Sequence, residues 1–526
     1  MKINVLDCTL RDGGYCNNWM FGRDNVRQII SGLIAANVEF IECGFLTNRV
    51  EFDTNRTKFS TVDQITDLIP KGNGSKPCLV MINYGEYESK DLPECSETSI
   101  DGIRVAFHKK DLFNALKFCE DIKKKGYMVF VQPMVSMSYS EKEFVTLIHE
   151  VNHLKPYAFY IVDSFGMMKR KALMKLVELT EMNLLDDILL GFHAHNNLQL
   201  AYSNAQYFAE LPLKRSVVID VSVHGMGRGA GNLNAELFLE YLNETVNACY
   251  SVKSILNLMD EIVSRFYEER PWGYSLPNYL SASHMIHPNY ATYLDDKKTL
   301  TLQAMDEIFS LMDAEKGLEY DEKYIEQLYI NYLSKREIEK SSIKELAERI
   351  KDNKILLIAP GKSVVDQKEK IIEFVKNENP IIFSINHDYP YIQSDYIFVS
   401  NMRRFRQLSS MVYDKTIITS NINSRKTYAC VDYFKLLNDI EGVRDNAGLM
   451  AIKFIADMAA VEFFLAGFDG YSHDIYSNFE TKDMALINSP DYLDRMNAGM
   501  RRCLKMFSDD LKISFLTESK VDPNIE

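Results

Sequence analysis

No uninterrupted apolar run in this 526-residue sequence approaches the roughly 20 residues that a membrane-spanning helix needs. The opening residues, MKINVLDCTLRDGG, carry charges from Lys2 onward and no apolar core, so neither a secretory signal nor a transit peptide is visible. Positive charge is also scarce, because 60 basic residues face 74 acidic ones and the formal charge is -14. This balance argues against a nucleic-acid partner, which would need a local excess of Lys and Arg.

The nine cysteines form no CxxC pair, and their odd number excludes a complete disulfide framework. Reduced thiols in the cytoplasm fit this pattern best. Hydrophobic residues make up 46% of the chain and charged residues 25%, which is enough apolar material for sizeable cores. At roughly 100–200 residues per domain, the length predicts about three domains. We therefore expect a soluble, cytoplasmic, multidomain protein.

The first part of the chain alternates short β-rich segments with amphipathic helical stretches, which predicts βα units around a parallel sheet. Eight units in about 250 residues have the size of a TIM (β/α)8 barrel, and a doubly wound sheet is the alternative. A barrel predicts that polar residues with chemical roles gather at the carboxyl ends of the strands. The predicted strands lie at residues 3–8, 38–43, 78–82, 102–106, 127–131, 158–162, 188–192 and 217–223.

The strand rhythm stops after the barrel segment. Residues 252–269 and 299–312 have apolar residues at helical spacing, whereas residues 270–294, dense in aromatics, Pro, His and Asn, resemble a shaped loop. The alternation resumes with ILLIAPGKS and predicts a separate α/β domain. The predicted architecture is α/β, with a TIM barrel over residues 1–248, a helical extension and candidate lid over 249–352, and a Rossmann-like domain over 353–526.

Two predicted strand ends carry residue types that suit a metal site. The first strand ends in LRDGG, with Arg11 and Asp12, and the seventh runs into GFHAHNN, where alternation points His193 and His195 the same way. Two imidazoles and a carboxylate, with positions left for water and substrate, suit Mn²⁺, Mg²⁺, Zn²⁺ or Fe²⁺. Taken singly, the motifs also fit a strand-end salt bridge and two hydrogen-bonded histidines. Their shared location favours the metal.

The eighth predicted strand is followed by VHGMGRGAGNLNAE, whose glycines allow close backbone approach to a ligand. Gly225 and Gly227 are therefore candidate substrate-binding residues, and a tight turn is the alternative. Further along, SASHMIHPNY contains His284 and His287, which a lid could deliver to the barrel mouth. Alternatively, this segment and Trp272 form a packing layer between the barrel and the helices.

The motifs LDCTLRDGG, FIECGF, GIRVAFH, YIVDSFG, GFHAHNNLQLAYSNA and GMGRGAGNLNAE occur in the order seen in the DRE-TIM metallolyases. The resemblance covers about residues 1–245 and is closest to the 4-hydroxy-2-oxovalerate aldolase branch. It implies that Asp12, His193 and His195 bind a divalent metal, for which we expect Mn²⁺ or Mg²⁺. It also implies that Arg11 stabilises an enolate. Two further matches are a substrate-contacting serine and an asparagine that some members use on the metal, Ser164 and Asn232.

The reaction that this resemblance implies makes or breaks a carbon–carbon bond between the enolate of a pyruvate-type 2-oxo acid and an aldehyde. One position departs from the aldolase pattern, because Tyr15 stands where that branch has a histidine. An ordinary tyrosine pKa of about 10 makes a poor base at neutral pH, so His108 and bound water are alternative proton carriers. An acyl-CoA-dependent condensing enzyme of the isopropylmalate synthase type and a non-catalytic scaffold are the alternative functions.

The C-terminal region is similar to sialyltransferase-like and related nucleotide-binding domains over about residues 354–480. Its first turn reads APGKS where that family has GxGPS, so a structural, catalytically silent domain is the alternative. Fusion of the two halves predicts a role in making an acidic sugar for a surface polysaccharide. The expected partners are a 2-oxo acid, an aldehyde, a nucleotide or nucleotide sugar, and a second copy of the chain. The nucleotide contacts that the resemblance implies are Gly361, Ser363, Asn386, Gly448 and Asp469.

Overall fold

The computed structural model divides the chain into two compact units. The first comprises Met1–Asp296 and Phe309–Asp321, and the second comprises Lys297–Ile308 and Glu322–Glu526. The predicted helical extension is therefore divided between the two units. Within the described residues, no helix is long and apolar enough to cross a membrane. The structure describes residues 2–70, 76–297, 300–333, 340–351, 353–422, 424, 426–440, 442–474, 478–479 and 490–524.

The first unit contains a closed barrel. Among its described residues, eight parallel strands follow one another around the barrel, and β1 pairs with both β2 and β9, which closes the sheet and excludes the doubly wound alternative. A short ninth strand, β3, pairs only with β2. The strands are β1 (Ile3–Asp7), β2 (Phe40–Leu46), β3 (Lys58–Phe59), β4 (Cys78–Asn83), β5 (Gly102–Phe107), β6 (Met128–Pro133), β7 (Ala158–Asp163), β8 (Leu189–Ala194) and β9 (Val217–Val221).

Both faces of the barrel strands are buried, as expected for parallel strands covered by helices. Side chains fill the interior, where Phe40, Phe130 and Tyr160 belong to one buried cluster. Gly191 on β8 leaves room for the Tyr160 ring, because a Cβ at this glycine would lie 2.3 Å from it. The surrounding helices include α1 (Thr9–Asp12), α2 (Gly14–Asn17), α3 (Arg23–Ala35), α4 (Asp63–Thr66), α5 (Leu112–Lys124), α6 (Glu141–Leu154), α7 (Arg170–Asn183), α8 (Ala201–Glu210) and α9 (Ala235–Val246).

The segment after α9 is helical throughout much of its length. The predicted helix over residues 252–269 forms as α10 (Val252–Leu258), a π-helical turn (Met259–Val263) and α11 (Ser264–Glu269). The prediction of a shaped loop over residues 270–294 was wrong, because α12 (Leu276–Ser283) and α13 (Pro288–Asp296) lie there. The Ser275 side chain caps α12 by accepting from the Asn278 N–H, and a proline opens each helix, so the residues that looked like loop signals are helix starts.

The second unit contains a parallel sheet with strand order β14-β13-β12-β11-β10-β15-β16. This order changes direction between β10 and β15, as in doubly wound folds, and it confirms the predicted second α/β region. Residue 299, where the predicted helix over 299–312 begins, lies outside the described residues. The strands are β10 (Ile355–Ile358), β11 (Ile381–Ile385), β12 (Tyr396–Val399), β13 (Thr416–Thr419), β14 (Ala429–Val431), β15 (Glu462–Ala466) and β16 (Lys512–Phe515).

The later helices surround this second sheet or precede it in the chain. One of them, α21 (Ala447–Ala456), has ten residues, and the Asn446 side chain caps its N-terminus by accepting from the Leu449 N–H. The helices are α14 (Leu302–Ser310), α15 (Glu322–Leu333), α16 (Lys340–Ile350), α17 (Ser363–Asp366), α18 (Lys368–Glu378), α19 (Met402–Gln407), α20 (Tyr433–Leu436), α21 (Ala447–Ala456) and α22 (Pro490–Phe507).

Candidate active site

Three buried side chains of metal-ligating types meet at the carboxyl ends of the barrel strands. Asp12 lies in α1, directly after β1, His193 is on β8, and His195 is one residue beyond the end of β8. Their ligand atoms all lie within 4.8 Å of one another. The two histidines share a side because strand residues alternate, and their ring centroids are 5.0 Å apart. This cluster of one carboxylate and two imidazoles has the composition of a divalent-metal site.

Neighbouring acceptors fix both imidazoles. His193 Nδ1 lies 2.8 Å from the Asp220 carboxylate, and His195 Nδ1 lies 3.1 Å from the backbone carbonyl of Asp163. Because both partners are acceptors, each Nδ1 carries the hydrogen and each Nε2 keeps a lone pair for a metal. Burial also lowers the pKa of His193 to about 4, so this imidazole is neutral at physiological pH. The histidines are therefore held in the form that binds metal.

Two buried acceptor atoms in the cluster have no hydrogen-bond donor. His195 Nε2 lies 3.1 Å from Asp12 Oδ2, with two lone pairs facing each other, and it has no hydrogen-bond partner among the described residues. Asn232 Nδ2 donates to Asp12 Oδ2 at 2.6 Å, whereas its buried Oδ1 is likewise unpaired within the described part of the chain. Buried polar atoms without partners are rare in proteins. A cation bound by these atoms would satisfy them, so the residues present fit a divalent ion.

Arg11 adds a fixed positive charge beside the cluster. Its Nη1 donates to Asp12 Oδ1 at 2.6 Å, and its Nε donates to Glu42 Oε2 at 2.9 Å. Its Nη2 makes no hydrogen bond with the described residues. Burial alone would raise the pKa of Asp12, but the Arg11 guanidinium opposes this, and the pKa lies well below its usual range. An ionised carboxylate and an arginine with a spare donor therefore lie side by side.

Buried charges of alternating sign extend from Arg11 across the barrel interior. Arg104, which is 0% exposed, donates to Glu42 Oε2 at 2.6 Å and to the Asp220 carboxylate. The Tyr160 hydroxyl donates to Asp220 at 3.0 Å. Each buried charge thus has a partner of opposite sign, which the low-dielectric interior requires. The chain of contacts runs in order through Asp12, Arg11, Glu42, Arg104, Asp220 and His193.

Glu42, Arg104 and Asp220 are site residues that the sequence-based predictions missed, although each lies in a predicted strand or a quoted motif. A signal was present, because each is a charged residue in the middle of a β-rich, apolar segment, namely FIECGF, GIRVAFH and VVIDV. Strand alternation points such a residue either to the helices or to the barrel interior. A charge that faces the interior of a barrel needs a partner there, and these three supply one another.

The two candidate proton carriers have opposite electrostatic environments. Tyr15, in α2, packs its ring against Trp19 at 4.7 Å and lies under the Arg228 guanidinium at 5.3 Å. Burial raises the pKa of Tyr15, so its hydroxyl keeps its proton at neutral pH. His108 follows β5 and is half-buried, and burial lowers its pKa, so its imidazole is neutral. Tyr15 can therefore donate a proton, and His108 can accept one.

The glycine loop after β9 lies against the metal cluster. A Cβ at Gly227 would be 2.2 Å from Asn232 Nδ2 and 3.0 Å from Asp12 Oδ2, so a side chain here would displace both residues. Gly225 adopts a φ of 59°, in the left-handed region that favours glycine. Ser164 Oγ accepts from the Val135 N–H at 2.8 Å, and its backbone carbonyl accepts from Arg228 Nη2 at 3.0 Å. The loop therefore needs glycine where it approaches the ligands.

The two histidines of the candidate lid have different surroundings. His287 Nε2 lies 3.2 Å from Arg228 Nη1 in the glycine loop, and its ring packs against Phe165 at 5.7 Å. The His284 ring instead packs against Phe309 at 5.9 Å. His287 thus contacts the loop beside the metal cluster.

In the second unit, three of the predicted nucleotide contacts lie at two turns that bind each other. The Ser363 N–H donates to the Asp469 carboxylate at 2.8 Å, and the Ser363 hydroxyl donates to the same group. The Gly361 N–H donates to the Gly467 carbonyl at 3.1 Å, and a Cβ at Gly361 would lie 2.3 Å from that oxygen. These residues therefore hold the turn after β10 against the turn after β15.

A cavity of about 600 Å³ opens at the carboxyl ends of β10, β11, β12 and β15. Four of the five predicted contacts line it, and Ser363 is the exception. Asn386 has a φ of 59° and a buried Oδ1 without a partner among the described residues. Arg403 and Arg404 line the wall, and burial together with Arg403 lowers the pKa of Arg404 although Tyr471 opposes this. The capped N-terminus of α21 also faces the cavity.

A closed parallel barrel with a buried Asp/His/His cluster and an adjacent arginine defines a metal-dependent TIM-barrel enzyme. Residues 2–262 match the HMGL-like family model, which supports the resemblance of the barrel to the DRE-TIM metallolyase superfamily. The fold, the site and this match together support a divalent-metal-dependent lyase in the barrel.

Relatives with known names match the barrel half of the chain. A 4-hydroxy-2-oxovalerate aldolase from Geobacillus genomosp. 3 is 26% identical over 256 residues, covering 46% of this chain and 70% of that protein. An oxaloacetate decarboxylase from Mycobacterium tuberculosis is 26% identical over 245 residues, covering 45% and 69%. Among solved structures, the N-terminal domain of a candidate aldolase from Bacteroides vulgatus is 26% identical, covers 59% of this chain and 100% of that one, and has a TM-score of 0.49.

Proposed function

We propose that the barrel is a divalent-metal-dependent aldolase that cleaves or forms the bond between the enolate of a pyruvate-type 2-oxo acid and an aldehyde. The observation that carries this proposal is the contact between Arg11 and Asp12, at 2.6 Å. It places a guanidinium with a spare Nη2 donor directly beside the cluster that fits a metal. A negative charge that develops on the keto oxygen of a chelated 2-oxo acid would be stabilised from both sides.

The chemistry follows from the charges around this position. A divalent ion, Mn²⁺ or Mg²⁺, held by Asp12, His193, His195 and Asn232 would polarise the keto group of the 2-oxo acid. In the cleavage direction, His108 removes the proton of the 4-hydroxyl group, the C3–C4 bond breaks, and its electron pair enters the enolate as the aldehyde leaves. Arg11 binds the enolate oxygen. Protonated His108 then returns this proton to C3, which gives the methyl group of pyruvate, and the Tyr15 hydroxyl is the alternative proton donor.

The named activities of the relatives support an enolate intermediate. Retro-aldol cleavage of a 4-hydroxy-2-oxo acid and decarboxylation of oxaloacetate both leave the enolate of pyruvate, which is the intermediate that this site would stabilise. An acyl-CoA-dependent condensing enzyme shares the metal and the Arg–Asp pair and remains the alternative enzyme. All nine cysteines carry free thiols, which supports the proposal that the protein works in the cytoplasm.

Exchange of the pyruvate methyl protons into deuterated water tests the enolate directly, because it needs no aldehyde. We expect exchange that depends on added Mn²⁺ or Mg²⁺ and is followed by nuclear magnetic resonance. Incubation with pyruvate and a panel of aldehydes, compared with acetyl-CoA and 2-oxo acids, identifies the product class by mass. The absence of both exchange and condensation with either metal would refute the proposal and favour a non-catalytic scaffold.

We further propose that the cavity of the second unit binds a nucleotide or nucleotide sugar. Ligands of doubly wound sheets bind beyond the carboxyl ends of the strands, where the strand order changes direction, and this cavity lies between β10 and β15. Arg403, Arg404 and the N-terminus of α21 favour an anionic group there. A nucleotide-sugar ligand beside an aldolase would fit the synthesis of an acidic sugar for a surface polysaccharide.

Thermal unfolding of the full chain with CMP, UMP, AMP or GMP tests this ligand class. A ligand present at 100 times its Kd raises the free energy of unfolding by about 2.7 kcal/mol, which gives a measurable increase in Tm. We expect one nucleotide to stabilise the chain and Arg404→Gln to weaken the effect. If none of the four stabilises it at millimolar concentration, the domain is structural and the nucleotide proposal is wrong.

A further inference from the structure

A second cavity, in the first unit, lies beside residues that the proposed reaction uses. It has a volume of about 430 Å³ and lies between the rim of the barrel and the helices of the extension. The barrel contributes residues from α2 and from the glycine loop, and the extension contributes α12, α13 and the segment before them. The lining residues that matter here are Tyr15, Gly227, Arg228, Arg270, Asn278 and Asn289.

A residue next to the metal cluster lines this cavity. Gly227 is part of its lining, and a Cβ on Gly227 would lie only 3.0 Å from Asp12 Oδ2 and 2.2 Å from Asn232 Nδ2. Tyr15, a proposed proton carrier, lines the same cavity. A molecule bound here would therefore have one end beside a 2-oxo acid at the metal and the other end toward the extension. This is where the second reactant of a bimolecular condensation must lie.

Arg228 has hydrogen-bonding capacity that the protein does not use. Its Nη2 donates to the Ser164 carbonyl at 3.0 Å, and its Nη1 lies 3.2 Å from His287 Nε2. Its Nε is buried and has no hydrogen-bond partner among the described residues. Within that part of the chain, no carboxylate makes an ion pair with it. A guanidinium N–H left buried without an acceptor is costly, and an anionic ligand would remove that cost.

The rest of the lining is polar and carries more positive than negative charge. Arg228 and Arg270 supply two positive charges, and Asp296 supplies one negative charge. Asn278, Asn289 and Thr292 present amides and a hydroxyl, which can both donate and accept. A small apolar aldehyde would leave these groups without partners. A ligand with hydroxyl groups and an anionic group would satisfy them.

We propose that this cavity is the binding site of the aldehyde substrate and that Arg228 selects for an anionic group on it. The substrate class is a hydroxylated aldehyde with a phosphate or carboxylate group, whose hydroxyls bind the asparagines. This inference rests on the proposed aldolase function, because it assigns the second reactant of that reaction.

Intrinsic fluorescence tests binding without catalysis. The chain has two tryptophans, Trp19 and Trp272, and both line this cavity. The full chain is titrated with glycerol 3-phosphate, with D-glycerate and with glycerol. We expect a saturable change with at least one of the two anionic probes, at a Kd well below that for glycerol. The comparison of phosphate with carboxylate identifies the anionic group.

Variants then test the role of Arg228. Arg228→Gln removes the charge and should raise the Kd for the anionic probe about 10- to 100-fold, the usual effect of losing a charge-assisted hydrogen bond. Arg228→Lys keeps the charge without the planar fork and should have an intermediate Kd. Arg27→Gln, which removes an exposed arginine on α3, is the matched control and should bind like the wild type. Equal binding by Arg228→Gln and the wild type would overturn the assignment.

Selectivity completes the test. In condensation with pyruvate, we expect kcat/KM for D-glyceraldehyde 3-phosphate or another anionic aldehyde of the same size to exceed that for D-glyceraldehyde, and Arg228→Gln should abolish most of this ratio. If the wild type exchanges pyruvate protons but binds no anionic probe more tightly than glycerol, the subsite inference is wrong and the aldolase proposal stands. If the wild type exchanges no protons, the aldolase proposal itself fails.

Discussion

The two units use their buried polar residues differently. In the barrel, charges of alternating sign hold one another in place, and two of the atoms without partners among the described residues, His195 Nε2 and Asn232 Oδ1, belong to side chains that both contact Asp12. In the second unit, Ser363 and Asp469 bind each other around a turn, and a larger cavity of about 600 Å³ stays open beside them. The first arrangement fixes where charge can develop during a reaction. The second offers space and positive charge, which define a class of ligand but no reaction.

Loss of a proposed metal-ligating side chain should have the largest effect on activity, and it should affect the barrel alone. His193→Ala removes one of the two imidazoles of the cluster, and we expect pyruvate proton exchange to fall by roughly 10³-fold or more, because a bound metal would supply several kcal/mol of charge stabilisation. Nucleotide stabilisation of the second unit should not change. His149→Ala, an exposed histidine on α6, is the control and should exchange like the wild type. Exchange by His193→Ala at the normal rate would remove His193 from the ligand set.

Removal of Arg104, the central cation of the buried charge chain, should destabilise the barrel as well as inactivate it. Arg104→Met leaves Glu42 and Asp220 without their shared cation, which should reduce the free energy of unfolding by about 3–5 kcal/mol. Arg403→Met removes an exposed arginine of the second unit and should change it by about 0.5 kcal/mol or less. Urea unfolding followed by circular dichroism compares the two variants. A similar small loss in both would mean that the buried chain adds little stability.

The pH dependence of exchange separates the two proton carriers. Burial lowers the pKa of His108, so its basic form persists below pH 6.5, and we expect the exchange rate to be constant above that pH and to fall only in more acidic solution. Burial raises the pKa of Tyr15 above 10, so a tyrosine base would give a rate that still rises at alkaline pH. His108→Gln should reduce the rate about 10²-fold, which is typical of general base removal. A rate that rises beyond pH 10 would assign the base to Tyr15.

Asp220 contacts a proposed metal ligand, His193, and is not itself one of the proposed ligands, so its replacement should have a smaller effect. Asp220→Asn keeps the shape of the side chain but weakens the bond to His193 Nδ1, now 2.8 Å long, and should reduce Mn²⁺ affinity about 10- to 100-fold. Titration calorimetry with Mn²⁺ measures this affinity. Excess Mn²⁺ should restore most of the exchange rate. Failure of restoration, with the variant folded, would mean that Asp220 acts on the reaction and not on metal binding.

The sequence predicted the barrel well because a parallel barrel repeats one simple pattern. Each buried strand is apolar on both faces, and chemically useful residues follow it, so LRDGG and GFHAHNN could be placed at strand ends without coordinates. The sequence did not show which charged side chains pair across the barrel interior. Arg104 lies 62 residues from Glu42 and 116 residues from Asp220 along the chain, and only barrel closure brings them together. Spacing within a strand does not show which strands meet.

In the extension, the sequence-based prediction failed for a different reason. Residues 270–294 have Pro, Ser and Asn at intervals that resemble turns, but Ser275 and the prolines start helices. The same residue types serve turns and helix N-termini, and only the packing that follows decides between them. For that reason the cavity between these helices and the barrel could not be predicted, and neither could Arg228 as a lining residue. In the second unit, likewise, the sequence of the turn with Gly361 and Ser363 does not show whether this turn binds a ligand or another turn.

The role of that turn can be measured, although its replacement should have the smallest effect of all these substitutions. Ser363 donates twice to Asp469 and contacts Thr517 at 2.8 Å, and it does not line the cavity. Ser363→Ala should therefore reduce the free energy of unfolding of the second unit by about 1 kcal/mol, the usual value of one hydrogen bond. Nucleotide stabilisation should persist in this variant and be weakened in Arg404→Gln. If nucleotides no longer stabilise the Ser363→Ala variant, the turn itself binds the ligand. The second unit would then resemble the barrel, because fixed polar groups would form its site.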